Sequence, residues 1–179
     1  GEPRRPLRWA LMRAVLAMAL AGSGCLGFSG QAGAATLTVT STADTADGNT
    51  TSIAALITTP GADGVISLRE AILAANNTAG ADTINFNIIG SGVKTIFLQT
   101  VKLPPITDTV TIDGYTQPGA SPNTLAVGDD AVLLIQVTGN ILPVNQLGTG
   151  LQPDTDNCVI QGLVINQFSG SSSFPPPPN

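Results

Sequence analysis

Carboxylates are the side chains of this sequence with the greatest capacity for chemistry, and two short clusters stand out. Asp129-Asp130 is an adjacent pair, and paired carboxylates can divide acid and base roles or share a hard cation. Asp154-Thr155-Asp156-Asn157 has the alternation of oxygen-bearing side chains that opens a calcium loop. Both patterns are incomplete. No Lys or Arg stands near Asp129-Asp130 to complete a lyase-type site, and no second pair is set to stack above it. After Asn157 the chain runs Cys158-Val159, where further oxygen ligands and a glycine are required. The expectation is a solvated loop at 129–130 and a turn at 154–157. Asp113, in Ile112-Asp113-Gly114, ends an apolar run where Asp and Gly turn a chain, or where the Asp joins an exposed acidic row.

The chain contains no histidine, which removes Ser-His and Cys-His nucleophile pairs and the usual zinc ligand sets. Cys158, without a base partner, reads as a small buried core residue. The sequence therefore assigns no catalytic residue, no cofactor-binding residue and no metal ligand.

The elements that position these residues are short strands and one helix. Apolar, β-branched, alternating runs cover Thr36 to Thr40, Thr83 to Ile88, Thr95 to Leu98, Val110 to Asp113, Val132 to Val137 and Val159 to Phe168. Gly, Asn, Asp and Pro clusters separate them as turns. The exception is Ser67 to Asn77, where Ser67 and Glu70 form a capping box and Leu68, Ala71, Ile72 and Ala75 make an aliphatic stripe, leaving Arg69 and Asn76 on the other face. Hydrophobic centres Ile84, Ile112, Leu134 and Ile160 follow one another at the loose period of a solenoid coil, with Ile96 and Ile165 on other faces. The predicted fold class is mostly β, a parallel β-helix over 36–170 with one amphipathic capping helix at about 67–77. Like side chains would stack in aliphatic columns, and Asn76, Asn77, Asn85 and Asn166 could form an amide ladder. A β-sandwich uses similar short strands and is the structural alternative.

Residues 1–35 read as a signal peptide, with Met12 as a plausible start, an apolar run from Ala14 to Leu20, and an Ala-x-Ala-like site in Ala32-Gly33-Ala34-Ala35 before Thr36. Gly22, Ser23, Gly24, Ser29, Gly30 and Gln31 interrupt the apolar run and argue against a membrane span. Arg4-Arg5 is a poor twin-arginine signal beside Pro6 and Trp9, and Cys25 lacks the large aliphatic residue that precedes a lipidation cysteine. Beyond residue 35 the cations are Arg69, Lys94 and Lys102, against eleven Asp and Glu, a balance of minus eight. Nucleic acid is excluded as a partner class by that balance. Cys158 alone remains there, so no intrachain disulfide forms in that part. Residues 171–179, Ser-rich and then Pro-rich, read as a flexible tail. Leu163 to Gly170 resembles the approach to a further coil, which implies a longer native protein.

Five segments stand in fixed order: Gly64-Val65-Ile66-Ser67-Leu68-Arg69-Glu70-Ala71-Ile72, Asp82-Thr83-Ile84-Asn85-Phe86, Leu103-Pro104-Pro105-Ile106-Thr107, Val110-Thr111-Ile112-Asp113-Gly114 and Gly162-Leu163-Val164-Ile165-Asn166. Together they resemble the CSLREA-type bacterial right-handed β-helix proteins, which implies a right-handed parallel β-helix here. Relatives of that type include adhesin-like and autotransporter-like surface proteins, with chlamydial polymorphic outer-membrane proteins a more distant likeness. The resemblance implies a helix covering the N-terminal opening of a solenoid, and no defined reaction. The namesake cysteine is Ile66 here, just before the N-cap, where it would pack on Ala71 as a hydrophobic staple. Thr116-Gln117-Pro118-Gly119 looks like a loop of the same proteins and reads as a protruding turn.

Three functions stay open on these grounds. The first is a noncatalytic secreted or cell-surface scaffold, adhesin-like or a stalk, with surface glycans or host or matrix proteins as partners. The second is a carbohydrate-active β-helix, pectate lyase-like or polygalacturonase-like, with its chemistry on coils beyond this chain. The third is a calcium-stabilised structural module. All three are exported, to the extracellular space or the outer cell surface.

Overall fold

Alternation of apolar and polar side chains decides which residues become strands, because a strand with one buried face needs a period of two. In the computed structural model, which describes residues 33–143 and 148–168, this alternation is followed closely. Strands β1 (Thr36–Val39), β2 (Asp82–Phe86), β3 (Lys94–Phe97) and β4 (Val110–Asp113) bury every second side chain, and β5 (Ile135–Thr138) does so up to Thr138, which is buried beside Val137. Strands β6 (Val159–Gln161) and β7 (Leu163–Asn166) complete the set and are more exposed. Most of the signal-peptide segment, with Met12 and Cys25, and the 171–179 tail lie outside the described residues.

The strands form two sheets, ordered β1-β2-β4-β6 and β3-β5-β7. Every pairing is parallel. From β2 onward the chain alternates between the sheets, so each return to the first passes through the second. A third row begins with the parallel bridge Ile106↔Pro153. The β-sandwich alternative fails, because its sheets are antiparallel.

Register stacks like on like. Leu37, Ile84, Ile112 and Ile160 are successive partners across the first sheet, and Ile96, Val137 and Ile165 across the second. Ile96 and Ile165 thus sit on a different face from Ile84, as their spacing implied. Leu134 does not belong to the Ile84 column. It precedes β5 in the other sheet, so the step from Ile112 leads to Ile160, and the interval from Ile112 to Leu134 superposes two faces. The single run 159–168 is two strands, because Gly162, at φ +69°, turns the chain from one sheet to the other.

Helix α2 (Leu68–Asn76) packs on β1 and β2 and joins their continuous apolar core. It is not the only helix. A shorter α1 (Ile53–Thr58), N-capped by Ser52, packs Ile53 and Leu56 into the same core. Its presence explains why α2 buries Leu68, Glu70, Ala71, Ile72, Ala74 and Ala75, more than the narrow stripe expected. Ile66 packs against the core that contains Ala71, in keeping with a staple. The amide ladder is absent: Asn76 and Asn77 bond to loop backbone at Pro105, Thr107 and Thr50.

Gly114 and Gly162 stack at the corner between the sheets. A Cβ on Gly114 would strike the Gly162 carbonyl, and one on Gly162 would lie 2.5 Å from the Tyr115 nitrogen. Gly162→Ala adds left-handed backbone strain to that collision. Urea unfolding should show a loss of about 2 kcal/mol or more; a change below about 0.5 kcal/mol would contradict the stacked corner.

Candidate functional site

The densest polar constellation lies where the chain enters α2. Ser67 and Glu70 make the expected capping box: Ser67 Oγ accepts the Glu70 N–H, and Glu70 Oε2 accepts the Ser67 N–H at 2.9 Å. The Glu70 carboxylate does more than close the box. Its other oxygen, Oε1, accepts the N–H groups of Asp47 at 2.9 Å and Gly48 at 2.8 Å, and the side chain is fully buried. Ser67 Oγ in turn lies 2.6 Å from the Thr45 carbonyl and donates to it. A buried anion whose oxygens are held by backbone N–H groups at a helix N-terminus is electrostatically at home there. The loop 45–48 is thereby fixed to the helix.

Arg69, expected on the open face, is instead paired. Its Nε meets Asp44 Oδ1 at 2.8 Å and its second nitrogen meets Oδ2 at 3.0 Å, a bidentate fork with side chains 11% and 3% exposed. The guanidinium also donates to the Lys102 and Val101 carbonyls, and Asp44 Oδ2 accepts the Gln99 N–H. One ion pair thus ties the loop after β1 to α2 and to the loop after β3.

Two carboxamides act as substitute strand rungs. Asn76, at the end of α2, donates to the Pro105 carbonyl and accepts the Thr107 N–H, both at 2.8 Å, on the side of Ile106 opposite its Pro153 partner. Gln117 is buried and clamps both backbone groups of Ile88, at 2.8 and 2.9 Å, while Thr116 Oγ1 accepts the Phe86 N–H. The Thr116-to-Gly119 segment is therefore no free protrusion, because Gln117 turns inward to Ile88 and the exposed Thr116 is tied to the end of β2.

The carboxylates singled out by the sequence do not converge. Asp129 accepts the Ala131 N–H, and Asp130 accepts both the backbone N–H and the hydroxyl of Thr124 at 2.6 Å, so the pair closes an exposed loop. The Thr124 hydroxyl and then its amide hold the Asp130 carboxyl below the usual carboxylate range. Asp154 accepts from Gln152, and Asp113 caps the 3₁₀ turn at Gly114–Thr116 through the Tyr115 N–H. Among the described residues no three His, Cys, Asp or Glu side chains gather as a metal site. Cys158 is half-buried against the core, with Sγ 3.8 Å from the Asp108 carbonyl.

The outward face of the first sheet was not singled out. In register it presents Thr36, Thr83 and Thr111, and beside them Thr38, Asn85 and Asp113. The signal was available as Thr-Leu-Thr, Thr-Ile-Asn and Thr-Ile-Asp at the polar positions of three strands. No family model, curated protein or solved structure matches the chain.

Removing one carboxylate oxygen by Glu70→Gln leaves buried N–H groups facing an amide, and thermal or urea unfolding should register a loss of about 3 kcal/mol. Arg69→Met, which strands the buried Asp44 charge, should cost about 3 kcal/mol, with most of it recovered in the Arg69→Met, Asp44→Leu double variant. At Asp130 the lowered value means that loop closure persists above the ordinary carboxylate range and is lost only as pH falls through the folded value. NMR should find the Thr124 N–H shift moving with the Asp130 carboxyl at a midpoint below the ordinary carboxylate range; a midpoint at or above that range would disprove the contact.

Proposed function

We propose that this chain is an exported, noncatalytic scaffold, the front of a right-handed parallel β-helix similar to the CSLREA-type surface proteins. Its adhesive surface is the outward face of the first sheet, and its partners are surface glycans or host or matrix proteins. The observation that carries this reading is the flat, in-register array of Thr36, Thr83, Thr111, Thr38, Asn85 and Asp113, built on strands and not on loops. Hydroxyl, amide and carboxylate groups repeating at the inter-strand distance of about 4.8 Å suit a hydroxyl-rich or extended partner. The alternation of the chain between two parallel sheets supports the helical reading, and parallel crossovers are right-handed in nearly all proteins. Helix α2, packed on β1 and β2, supports the role of a front cap. Acidic character and the leader-like N-terminal segment support export.

The carbohydrate-active alternative receives no such support from Asp129 and Asp130, whose oxygens close their own loop. Two measurements test the proposal. Fractionation of bacteria expressing the full chain should place it outside the inner membrane, and retention in the cytoplasm would refute export. On a glycan array, Thr83→Arg should lower binding at least tenfold with the fold retained by circular dichroism. Release of unsaturated product from acidic polysaccharide, at a rate abolished by Asp129→Asn and Asp130→Asn, would refute the noncatalytic role.

A further inference from the structure

Asp82 stands where an aliphatic residue is expected. It is the first inward-pointing position of β2, ahead of Ile84 and Phe86, with Val110 as its register partner on β4, and it is 2% exposed. Its Oδ1 accepts the Ala35 N–H at 2.9 Å, but its buried Oδ2 has no partner. Burial raises its pKa, the Ala35 N–H offsets part of that, and the negative charge of Asp108 adds to it. No side-chain cation among the described residues answers this charge. Arg69 is paired with Asp44, the Lys94 ammonium donates to the Ser91 carbonyl, and Lys102 is exposed. A buried carboxylate in this condition is costly.

The group it touches lies beside a cleavage signal. Ala32 and Ala34 occupy the third and first positions before the Ala34–Ala35 bond, the small-residue pattern that leader peptidases read. Gly33 and Ala34 are exposed, whereas Ala35 is half-buried and its carbonyl accepts the Thr83 N–H at 2.8 Å. Ala35 is therefore part of the first rung. A cut after Ala35, the boundary read from the sequence, would remove both the acceptor of Thr83 and the donor to Asp82.

We propose that a leader peptidase cuts between Ala34 and Ala35, and that the α-ammonium group released docks on the buried Asp82 carboxylate and locks the first rung. This deepens the exported reading and rests on it. The step is hydrolysis: water breaks the Ala34–Ala35 C–N bond, its oxygen joins the departing Ala34 carboxylate, and the Ala35 nitrogen leaves as an amine that is protonated at neutral pH. An amide offers Asp82 one proton, and an ammonium offers three, enough for Oδ1 and for the orphan Oδ2. The fold then holds an ion pair that the uncut chain lacks. β1 carries no titratable side chain, β4 carries only Asp113 at its far end, and α2, also packed on β2, carries Arg69 and Glu70, which are held by Asp44 and by the 45–48 loop; Asp108 is the charge that acts on Asp82. The added stability is present below the amine's unfolded value, about 7.7–8.0, and is lost as pH rises through its raised folded value.

The test begins with the full chain expressed in a secreting bacterium, with the product's N-terminus read by mass spectrometry. A product beginning at Ala35 supports the inference. Failure of any export refutes the exported reading itself, while an exported product beginning at Thr36 or elsewhere leaves export standing and overturns this inference alone. In product made with ¹³C-alanine, the Ala35 Cα and Cβ shifts should show the unmodified α-amine titrating at least about one unit above its ordinary range, and Asp82→Asn should return it. Asp82→Asn should lower the melting temperature of the processed protein and leave that of uncut protein, made in the cytoplasm, unchanged or higher. An equal effect on both forms overturns the inference. Should the variant not fold, the wild-type titration decides: an α-amine at its ordinary value refutes the ion pair.

Discussion

Strict register between parallel strands is the constraint from which the rest of this structure follows. When Leu37, Ile84, Ile112 and Ile160 stand one above another, each buries its side chain against its neighbours, at about 1.5–3 kcal/mol for full burial. A slip of one residue in any strand would send that whole set to solvent and bring Thr83, Thr111 or Asn85 inside. The outward polar rows are thus a consequence of the inward aliphatic ones.

Such a stack has ends, and the polar side chains mark how the first end is finished. An open sheet edge leaves N–H and C=O groups without partners. Asn76 and Gln117 supply carboxamides where a neighbouring backbone is missing, and Glu70 gathers the 45–48 loop onto α2. Lys94, inward on edge strand β3, buries its stem and carries its ammonium to the Ser91 carbonyl. An inward charge on an edge discourages further pairing there. At the other end β6 and β7 are more exposed, with Val159 and Ile165 over two-fifths accessible. The two ends are chemically unlike.

How much of this was legible in the sequence depended on range. The capping box of α2 is a contact within one turn, and Ser67 and Glu70 announce it by type and spacing. Strands β2 and β4 announce themselves by alternation. The Arg69–Asp44 pair and the Glu70 bonds to Asp47 and Gly48 join residues more than twenty positions apart, and no local pattern signals them. Helix α1 is only six residues long, and Ile53 and Leu56 make one short i, i+3 pair too brief to stand out. Leu134 was placed in the wrong column because two faces share the same residue types, and spacing alone cannot separate them. Asp82 lies just before the apolar run that opens at Thr83, and only its burial shows that it points inward.

Methyl-labelled NMR tests the stacked column most directly. With Leu37, Ile84, Ile112 and Ile160 labelled, the account predicts strong methyl cross-peaks for Leu37–Ile84, Ile84–Ile112 and Ile112–Ile160. It predicts none for Leu37–Ile160, three rungs apart at about 14 Å. Cross-peaks that skip a rung, or the close Hα–Hα contacts of antiparallel strands between β2 and β4, would contradict it.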